Sequence, residues 1–251
     1  MLAERIGEEQ ATRAVARELT VHGGLGATAV ASCWPPGFAF RFGNRATVGD
    51  REIHVVARLE RPSAVLLENV LSEEECAHLV MLSTKRLRPS PHAMPDSAET
   101  SAIRAGNSAR TGVPRGHDAV VTAVEARLAE LMQVPVAHGE GLQVRRYLQG
   151  GEHRPGYDYF PPRQFDSARH LVQGGQRTAS LILYLNSPEA GGETVFPLTG
   201  LSCVPRAGSA LYFAYCDGAG RLDASSLHGG APVVSGEKWI ATKWVREGPC
   251  P

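Results

Sequence analysis

Three polar residues in the second half of the chain have types and a spacing that suit a metal ion with an anionic chelating ligand. Asp158 lies in the segment HRPGYDYF, His228 follows seventy residues later in a Gly-rich segment, and Lys238 comes ten residues after His228. A carboxylate and an imidazole are common metal ligands, and a lysine in an apolar strand needs an anionic partner. We expect Asp158 and His228 in short strands. A turn at Ser235 and Gly236 would place Lys238 on the strand next to that of His228.

The sequence around these residues predicts an α+β fold in which short strands are backed by two helices. The segments LQVRRYL, SLILYLN, ALYFAY and KWIATKWV have strand character and are separated by Gly-containing turns. Before them, a strand at 64–67 leads into a helix that begins at Ser72, with Glu75 completing a capping box. Apolar spacing predicts a second helix at 118–132. The segment 86–117, rich in Pro, Ser, Gly and Arg, is expected to form a long loop.

The N-terminal region is predicted to be a small extension, residues 1–60, ahead of a main domain at 61–251. Residues 4–20 have apolar side chains near helical spacing, which indicates a short amphipathic helix. The aromatic and polar residues of 31–50, followed by a strand at 52–57, predict a β-hairpin.

Composition excludes several classes of function. The 251 residues carry 26 basic and 26 acidic side chains, with a pI near 7.1, so binding to nucleic acid by bulk charge is not expected. No apolar stretch approaches the ~20 residues of a membrane span, and the N-terminal residues do not have the apolar core of a signal peptide. We therefore expect a cytoplasmic protein with no membrane association. Its five cysteines form no CxxC pattern and are expected to be reduced.

From roughly residue 60 to 246, the sequence resembles the prolyl-4-hydroxylase-like branch of the iron(II) and 2-oxoglutarate dependent oxygenases. In that family a double-stranded β-helix, or jelly roll, holds iron with an HxD pair and a distal histidine. A lysine ten residues beyond that histidine pairs with the far carboxylate of 2-oxoglutarate. The resemblance implies that Asp158 and His228 are metal ligands and that Lys238 binds the cosubstrate, all three being catalytic.

Other matches concern the cosubstrate pocket. Tyr147 resembles a family tyrosine that hydrogen-bonds 2-oxoglutarate, Ser180 lies where the family often has threonine, and Trp244 matches a residue that lines the same pocket. The stretch GGETVFP at 191–197 is typical of the family. The resemblance implies Fe(II) and 2-oxoglutarate as cofactors, with ascorbate as an optional addition. The implied reaction is hydroxylation of an amino acid, a peptidyl proline or a small natural product. The partner would be a small-molecule or peptide substrate, and a homodimer is left open.

One position departs from the family pattern, because Gly156 stands where the first histidine of HxD is expected. Four interpretations remain open. Water fills the gap in a weak but working iron site, or His153 replaces the ligand, against which strand alternation argues unless a bulge intervenes. The chain is a silent family member, or the glycine is a deliberate substitution. A different class, a cupin-like binding module with another metal, would need ligands from Glu152 and His153.

Arginines flank the expected mouth of the site. They are interpreted as solvated side chains, some of which would meet a carboxylate-bearing substrate. They are Arg145, Arg146, Arg154, Arg163, Arg169 and Arg177.

Overall fold

The computed structural model describes residues 43–89, 107–160, 171–216 and 221–250. All of them belong to one compact unit, Cys33–Pro251. The helix predicted at 4–20 lies outside the described residues. In the part of the chain that the structure describes, no helix is long and apolar enough to cross a bilayer, and Cys76, Cys203, Cys216 and Cys250 are free thiols.

Antiparallel strands dominate the described chain and form two facing layers. The strands are β1 (Arg45–Val48), β2 (Arg51–Leu59), β3 (Ala64–Glu68), β4 (Arg88–Pro89), β5 (Ser108–Val113), β6 (Leu142–Tyr147), β7 (His153–Gly156), β8 (Arg177–Tyr184), β9 (Ala190–Gly191), β10 (Thr194–Phe196), β11 (Leu201–Cys203), β12 (Ala210–Ala214), β13 (His228–Gly230), β14 (Val233–Ser235) and β15 (Lys238–Arg246). The large sheet has the order β1-β2-β3-β12-β8-β15-β6-β5-β4, the small sheet β11-β10-β13-β7, and β14 pairs with β9. This arrangement confirms the predicted jelly roll.

The two central strands of the large sheet, β8 and β15, are buried on both faces. In β8, Leu181 and Leu183 point into a core shared with the helices, whereas Ile182 and Tyr184 point into the space between the two sheets. This alternation explains why SLILYLN is a continuous apolar run, because a strand covered on both sides needs apolar residues at every position.

Within the described ranges, two α-helices back the outer face of the large sheet, as predicted. The first, α1 (Glu73–Thr84), begins at Ser72, and both hydrogen bonds of the predicted capping box to Glu75 are present. The second, α2 (Ala119–Met132), is capped by the side chain of Asp118. Short 3₁₀ turns occur at Val136–His138 and Ala224–Ser226.

A buried ion pair joins α2 to the central strand β15. Lys243 Nζ lies 2.6 Å from Glu125 Oε1, and both side chains are 2% exposed. Glu125 also accepts a hydrogen bond from the backbone N–H of Gly116. The pair therefore fixes the helix against the strand that carries Lys238 at its start.

The structure corrects the predicted loop at 86–117 and describes only part of the predicted N-terminal hairpin. The predicted loop 86–117 contains β4 and β5, and β5 pairs with β6 along its length, so cross-strand hydrogen bonds outweigh its weak strand composition. The predicted strand 52–57 lies within β2, which pairs with β1 around a turn at Gly49 (φ +58°) and continues through β3 into the large sheet. Residues 31–42 lie outside the described chain. The domain boundary at residue 60 stays a prediction.

Candidate active site

A carboxylate and an imidazole from two different segments meet between the sheets. Asp158 Oδ2 lies 3.5 Å from His228 Nε2, and both side chains are largely buried. His228 is the first residue of β13, as expected, but Asp158 lies in a bend two residues beyond the end of β7 rather than in a strand. The bend turns the carboxylate away from strand pairing and toward the imidazole.

A backbone carbonyl orients the ring of His228. Its Nδ1 lies 3.0 Å from the carbonyl oxygen of Ser226, so we assign the proton to Nδ1, which donates to this oxygen. Nε2 then faces the carboxylate of Asp158. A histidine whose far nitrogen is fixed by a backbone carbonyl is the usual arrangement at a metal site.

The carboxylate of Asp158 accepts a hydrogen bond from one hydroxyl group, which in turn contacts a second hydroxyl group. Ser180 Oγ donates to Asp158 Oδ2 at 2.7 Å and lies 2.8 Å from the hydroxyl of Tyr215. Burial raises the pKa of Asp158, but the charge on His228 and the hydrogen bond from Ser180 outweigh it and hold the pKa below its usual value. The sequence predicts that Ser180 binds the cosubstrate. In the structure its hydroxyl group contacts the carboxylate of Asp158. Tyr215 was not singled out, although its alternation with Phe213 in ALYFAY places it on the inner face.

Gly156 is the cross-strand partner of His228. Their Cα atoms face each other across β7 and β13, so a side chain at 156 would share the face of the imidazole. An ideal Cβ built on Gly156 meets no atom of the described residues within 4 Å, and its φ lies outside the left-handed region. The position where the family pattern has histidine is therefore open space.

His153 shares this face because β7 contains a bulge. The register shifts by one residue between the pairs His228 with Gly156 and Gly230 with His153. The alternation that argued against His153 therefore does not hold. Its ring, however, lies beside Arg145, with Nη1 of the arginine 3.3 Å from Nδ1. Among the described residues no group of three His, Cys, Asp or Glu side chains could hold a metal ion.

Lys238 enters the chamber from the large sheet. It begins β15, opposite Tyr147 of β6, whereas His228 is in the small sheet. The expectation of neighbouring strands is therefore wrong: the turn at Ser235 and Gly236 (φ +80°) carries the chain across to the opposite layer. The lysine thus faces the imidazole from the other wall of the chamber.

The ammonium group of Lys238 is suited to an anion. The residue is 3% exposed, and its Nζ lies 5.7 and 5.8 Å from the ring centroids of Tyr147 and Tyr184. No described carboxylate lies within 4.0 Å of it. Burial lowers the pKa of Lys238 to about 8, and the charge of Glu193 acts in the opposite direction. A buried cation without an ion pair is costly, so this site favours a carboxylate ligand.

The GGETVFP stretch shapes the wall beside Lys238. Gly191 and Gly192 both have positive φ, and a Cβ at Gly191 would lie 2.4 Å from the carbonyl oxygen of Pro232. A Cβ at Gly192 would lie 3.3 Å from the Lys238 side chain. The two glycines therefore allow a close approach that other residues would block.

Trp244 lies on the same face of β15 as Lys238, near Asp158. Its buried indole N–H helps to lower the pKa of Asp158, although the geometry falls outside that of a hydrogen bond, and no other described residue accepts it. The guanidinium of Arg177 stacks 3.8 Å from the indole centroid. Arg177 also pairs with Glu140 at 2.7 Å and donates to the backbone carbonyl of Asp158 at 3.1 Å.

Glu140 bridges two arginine side chains, and sequence analysis did not single it out. It accepts hydrogen bonds from Arg177 and from Arg246, whose Nε lies 2.6 Å away. Burial raises the pKa of Glu140, but the two guanidinium groups outweigh burial and lower it. Of the arginines expected at the mouth, Arg177 is thus ion-paired, and Arg146 lies on the opposite face over Trp239.

Comparison with known proteins identifies the family to which this chain belongs. The profile of the 2OG-Fe(II) oxygenase superfamily matches residues 142–246. Probable prolyl 4-hydroxylase 3 of Arabidopsis thaliana is 37% identical over 206 residues, covering 74% of this chain and 70% of the relative. The chain belongs to the prolyl-4-hydroxylase-like 2-oxoglutarate and iron(II) oxygenases. The resemblance expected from the sequence is thereby confirmed.

Two further proteins that are similar to this chain are also named prolyl hydroxylases. Prolyl 4-hydroxylase 5 of Arabidopsis thaliana is 37% identical over 215 residues, covering 78% of this chain and 72% of that protein. The crystal structure of a viral collagen prolyl hydroxylase from Paramecium Bursaria Chlorella virus-1, in complex with 2-oxoglutarate, has a TM-score of 0.56. It is 28% identical, and the match covers 73% of this chain and 94% of that one.

The cofactors of the family are Fe(II) and 2-oxoglutarate, and the residues of this oxygenase fit them unequally. The ammonium group of Lys238, beside Tyr147, has no ion-pair partner among the described residues and suits a cosubstrate carboxylate. Asp158 and His228 present two metal ligands with oriented side chains. Gly156 presents none. Among the described residues, one buried ammonium group thus suits a cosubstrate carboxylate, and two side chains suit a metal ion.

Proposed function

We propose that this chain is an Fe(II) and 2-oxoglutarate dependent oxygenase that hydroxylates a peptidyl proline through an iron site with two protein ligands. The observation that carries the proposal is the convergence of Asp158, His228 and an unpaired buried Lys238 on one chamber. The relatives named prolyl 4-hydroxylases, at 37% identity, support proline in a peptide over a free amino acid or a small natural product.

The roles of the residues follow from their contacts. Bound iron and 2-oxoglutarate, with dioxygen as the oxidant, would supply oxidative decarboxylation of the cosubstrate to succinate and carbon dioxide, coupled to hydroxylation of a C–H bond. Asp158 and His228 would hold the metal, and Lys238 with Tyr147 would hold a carboxylate of the cosubstrate. Ser180 keeps Asp158 oriented and ionised by donating to Oδ2.

Water takes the third protein position in this proposal. The open space at Gly156, beside His228, is large enough for a further group. Because even the loss of a residue that only orients a ligand typically lowers metal affinity about 10- to 100-fold, the loss of a ligand should weaken iron binding at least as much.

A second candidate is a catalytically silent member that keeps the fold and binds an anion or a partner. Gly156 favours it, since no described cluster offers three ligands. This candidate predicts no stoichiometric iron and no turnover of 2-oxoglutarate.

Anaerobic titration with Fe(II) and 2-oxoglutarate separates the two candidates. The signal is the metal-to-ligand charge-transfer absorption band, recorded for this chain and for Gly156→His in parallel. A band in the unmodified chain, followed by succinate formation with a proline-rich peptide once dioxygen is admitted, supports the two-ligand oxygenase. A band only in Gly156→His means that the pocket is an oxygenase site silenced at one position. Because position 156 is sterically open, the variant is expected to fold.

A further inference from the structure

Three arginines stand side by side across one end of the large sheet. Arg88 of β4 is the cross-strand partner of Arg110 in β5, and Arg110 is the partner of Arg145 in β6. Directly paired residues point to the same face of a sheet. Because neighbouring strands are about 4.8 Å apart, the three side chains form a row about 10 Å long on one face. We call this set the arginine row.

The arginine row lies on the face of the sheet that looks into the chamber. Tyr147 is two positions from Arg145 in β6, so the two share a face, and Tyr147 belongs to the cluster between the two sheets. The opposite face of β5 carries Val113, which is buried in the core shared with the helices. Arg145 and Arg110 are partly buried, whereas Arg88 is exposed. The row therefore leads from the chamber toward solvent.

The described part of the protein does not neutralise the arginine row. Among the described residues, none of the three arginines forms an ion pair with a carboxylate. Arg145 Nε donates to Gln143 Oε1 at 2.8 Å, and its Nη1 lies 3.3 Å from Nδ1 of His153, so neither contact is acidic. Like charges directly opposite each other across strands destabilise a sheet. An anion bound along the row would offset this cost.

The inner face of β5 offers polar groups to a bound chain. Its inward positions are Ser108, Arg110 and Gly112. No described atom lies within 4 Å of an ideal Cβ on Gly112, so a ligand can approach the backbone there. Since the whole chain has 26 basic and 26 acidic residues, the positive charge of the row is local. The row can therefore select a ligand by the position of its negative charges.

We propose that the arginine row binds acidic side chains that flank the target proline of a peptide substrate. The proposal rests on the proposed function and adds a charge preference to its substrate. An extended peptide rises about 3.3 Å per residue, so a row about 10 Å long matches acidic residues within about three positions of a proline in the chamber. Arginine meets a carboxylate with two parallel N–H groups, which favours glutamate or aspartate over neutral side chains.

Peptide binding to the metal-free full chain tests the proposal. Two fluorescently labelled peptides share a central proline and differ only in having glutamates or glutamines on both sides of it. With EDTA and low salt, fluorescence anisotropy should show the glutamate peptide binding about fivefold or more tightly than the glutamine peptide. The difference should shrink as salt is added, because salt screens exposed charges.

Arg110→Gln removes the middle charge of the row. It should abolish most of the preference for the glutamate peptide and leave binding of the glutamine peptide nearly unchanged. Arg110→Lys should keep part of the preference, since the charge remains but the paired N–H groups do not. Arg146→Gln is the matched control, because it removes the same charge from the opposite face, where the guanidinium lies over Trp239. This control should keep the preference, and thermal unfolding verifies that each variant folds.

Two results would overturn the proposal. One is that the unmodified chain binds both peptides equally or binds neither, and the other is that Arg110→Gln keeps the full preference. Succinate formation by the iron-loaded protein is measured separately. A charge preference without turnover would support the arginine row and contradict the proposed oxygenase, and turnover without a preference would do the reverse. The two proposals can therefore fail separately.

Discussion

Gly156 and His228 face each other as Cα partners across β7 and β13. Any side chain at 156 would therefore stand next to the imidazole that approaches Asp158. The open space at the glycine means that the site lacks a ligand without having collapsed.

Gly156→His should strengthen Fe(II) binding at least about 10-fold, because a third ligand joins Asp158 and His228 on one face. Equilibrium metal titration under anaerobic conditions measures the change. Gly112→His is the control, since Gly112 is also a strand glycine with no described atom within 4 Å of an ideal Cβ but lies on β5 of the large sheet. Equal affinities in both variants would count against a metal site at 156.

Ser180→Ala should make metal binding more sensitive to acid. The hydrogen bond from Ser180 lowers the pKa of Asp158, so its loss raises that pKa. Protonation of the carboxylate then begins at a higher pH as the solution is acidified. Metal affinity measured from neutral to acidic pH should fall earlier than in the unmodified chain. Ser180→Thr keeps the hydroxyl and should restore the original profile; an unchanged profile for the alanine variant would contradict the assigned contact.

Affinity for 2-oxoglutarate should decline as the pH rises through about 8. Burial lowers the pKa of Lys238 to about 8, so the ammonium loses its charge above that pH and its attraction for a carboxylate with it. Below pH 8 the affinity for 2-oxoglutarate should not change with pH. Calorimetry in buffers of different ionisation enthalpy should also show proton uptake on binding above pH 8. A flat affinity up to pH 10 would argue that Lys238 does not meet the carboxylate.

Lys238→Met should stabilise the fold while abolishing cosubstrate binding. The lowered pKa means that the charged form is disfavoured in the folded chain, so removing the charge should raise the free energy of unfolding by on the order of 1 to 3 kcal/mol at pH 7. The sign follows from linkage: the penalty is full below the folded pKa and disappears as the pH rises from about 8 toward 10.5. Denaturant unfolding at pH 7 and pH 10 tests this, and a larger gain at pH 10 would refute it.

Glu125→Ala should destabilise the fold by about 3–5 kcal/mol, because it leaves Lys243 charged and unpaired in the core. The pair is 2% exposed on both sides, with a 2.6 Å separation. The double variant Glu125→Leu with Lys243→Met removes both charges and should lose much less. Denaturant titration gives both values; a single variant no less stable than the double would show that the ion pair is not the cause.

Local signals correctly predicted the two helices that back the large sheet, whereas contacts between distant segments escaped prediction. The cap at Ser72 and the apolar face of α2 depend on residues within a few positions of each other. In contrast, Tyr215 contacts Ser180 from a different strand, and Glu140 contacts Arg177 across the fold. No nearby pattern marks such residues. The three chemically suggestive residues, Asp158, His228 and Lys238, were found from type and spacing, and they do converge.

Two further differences between the sequence predictions and the structure arise from the geometry of the strands. Periodicity indicates which face of a strand a residue occupies, but it does not indicate which sheet the strand joins after a turn. Lys238 therefore lies opposite His228 rather than beside it. The bulge in β7 likewise changes the face of His153, and it leaves no signature in composition.

That bulge has a consequence for redesigning the protein. One extra residue allows a four-residue strand to present positions 153 and 156, three apart, to the same chamber. A ligand or a charge can thus be introduced at either position without altering the backbone. Deleting a single residue between them would restore regular pairing and leave the two positions two residues apart, so both side chains would still face the chamber.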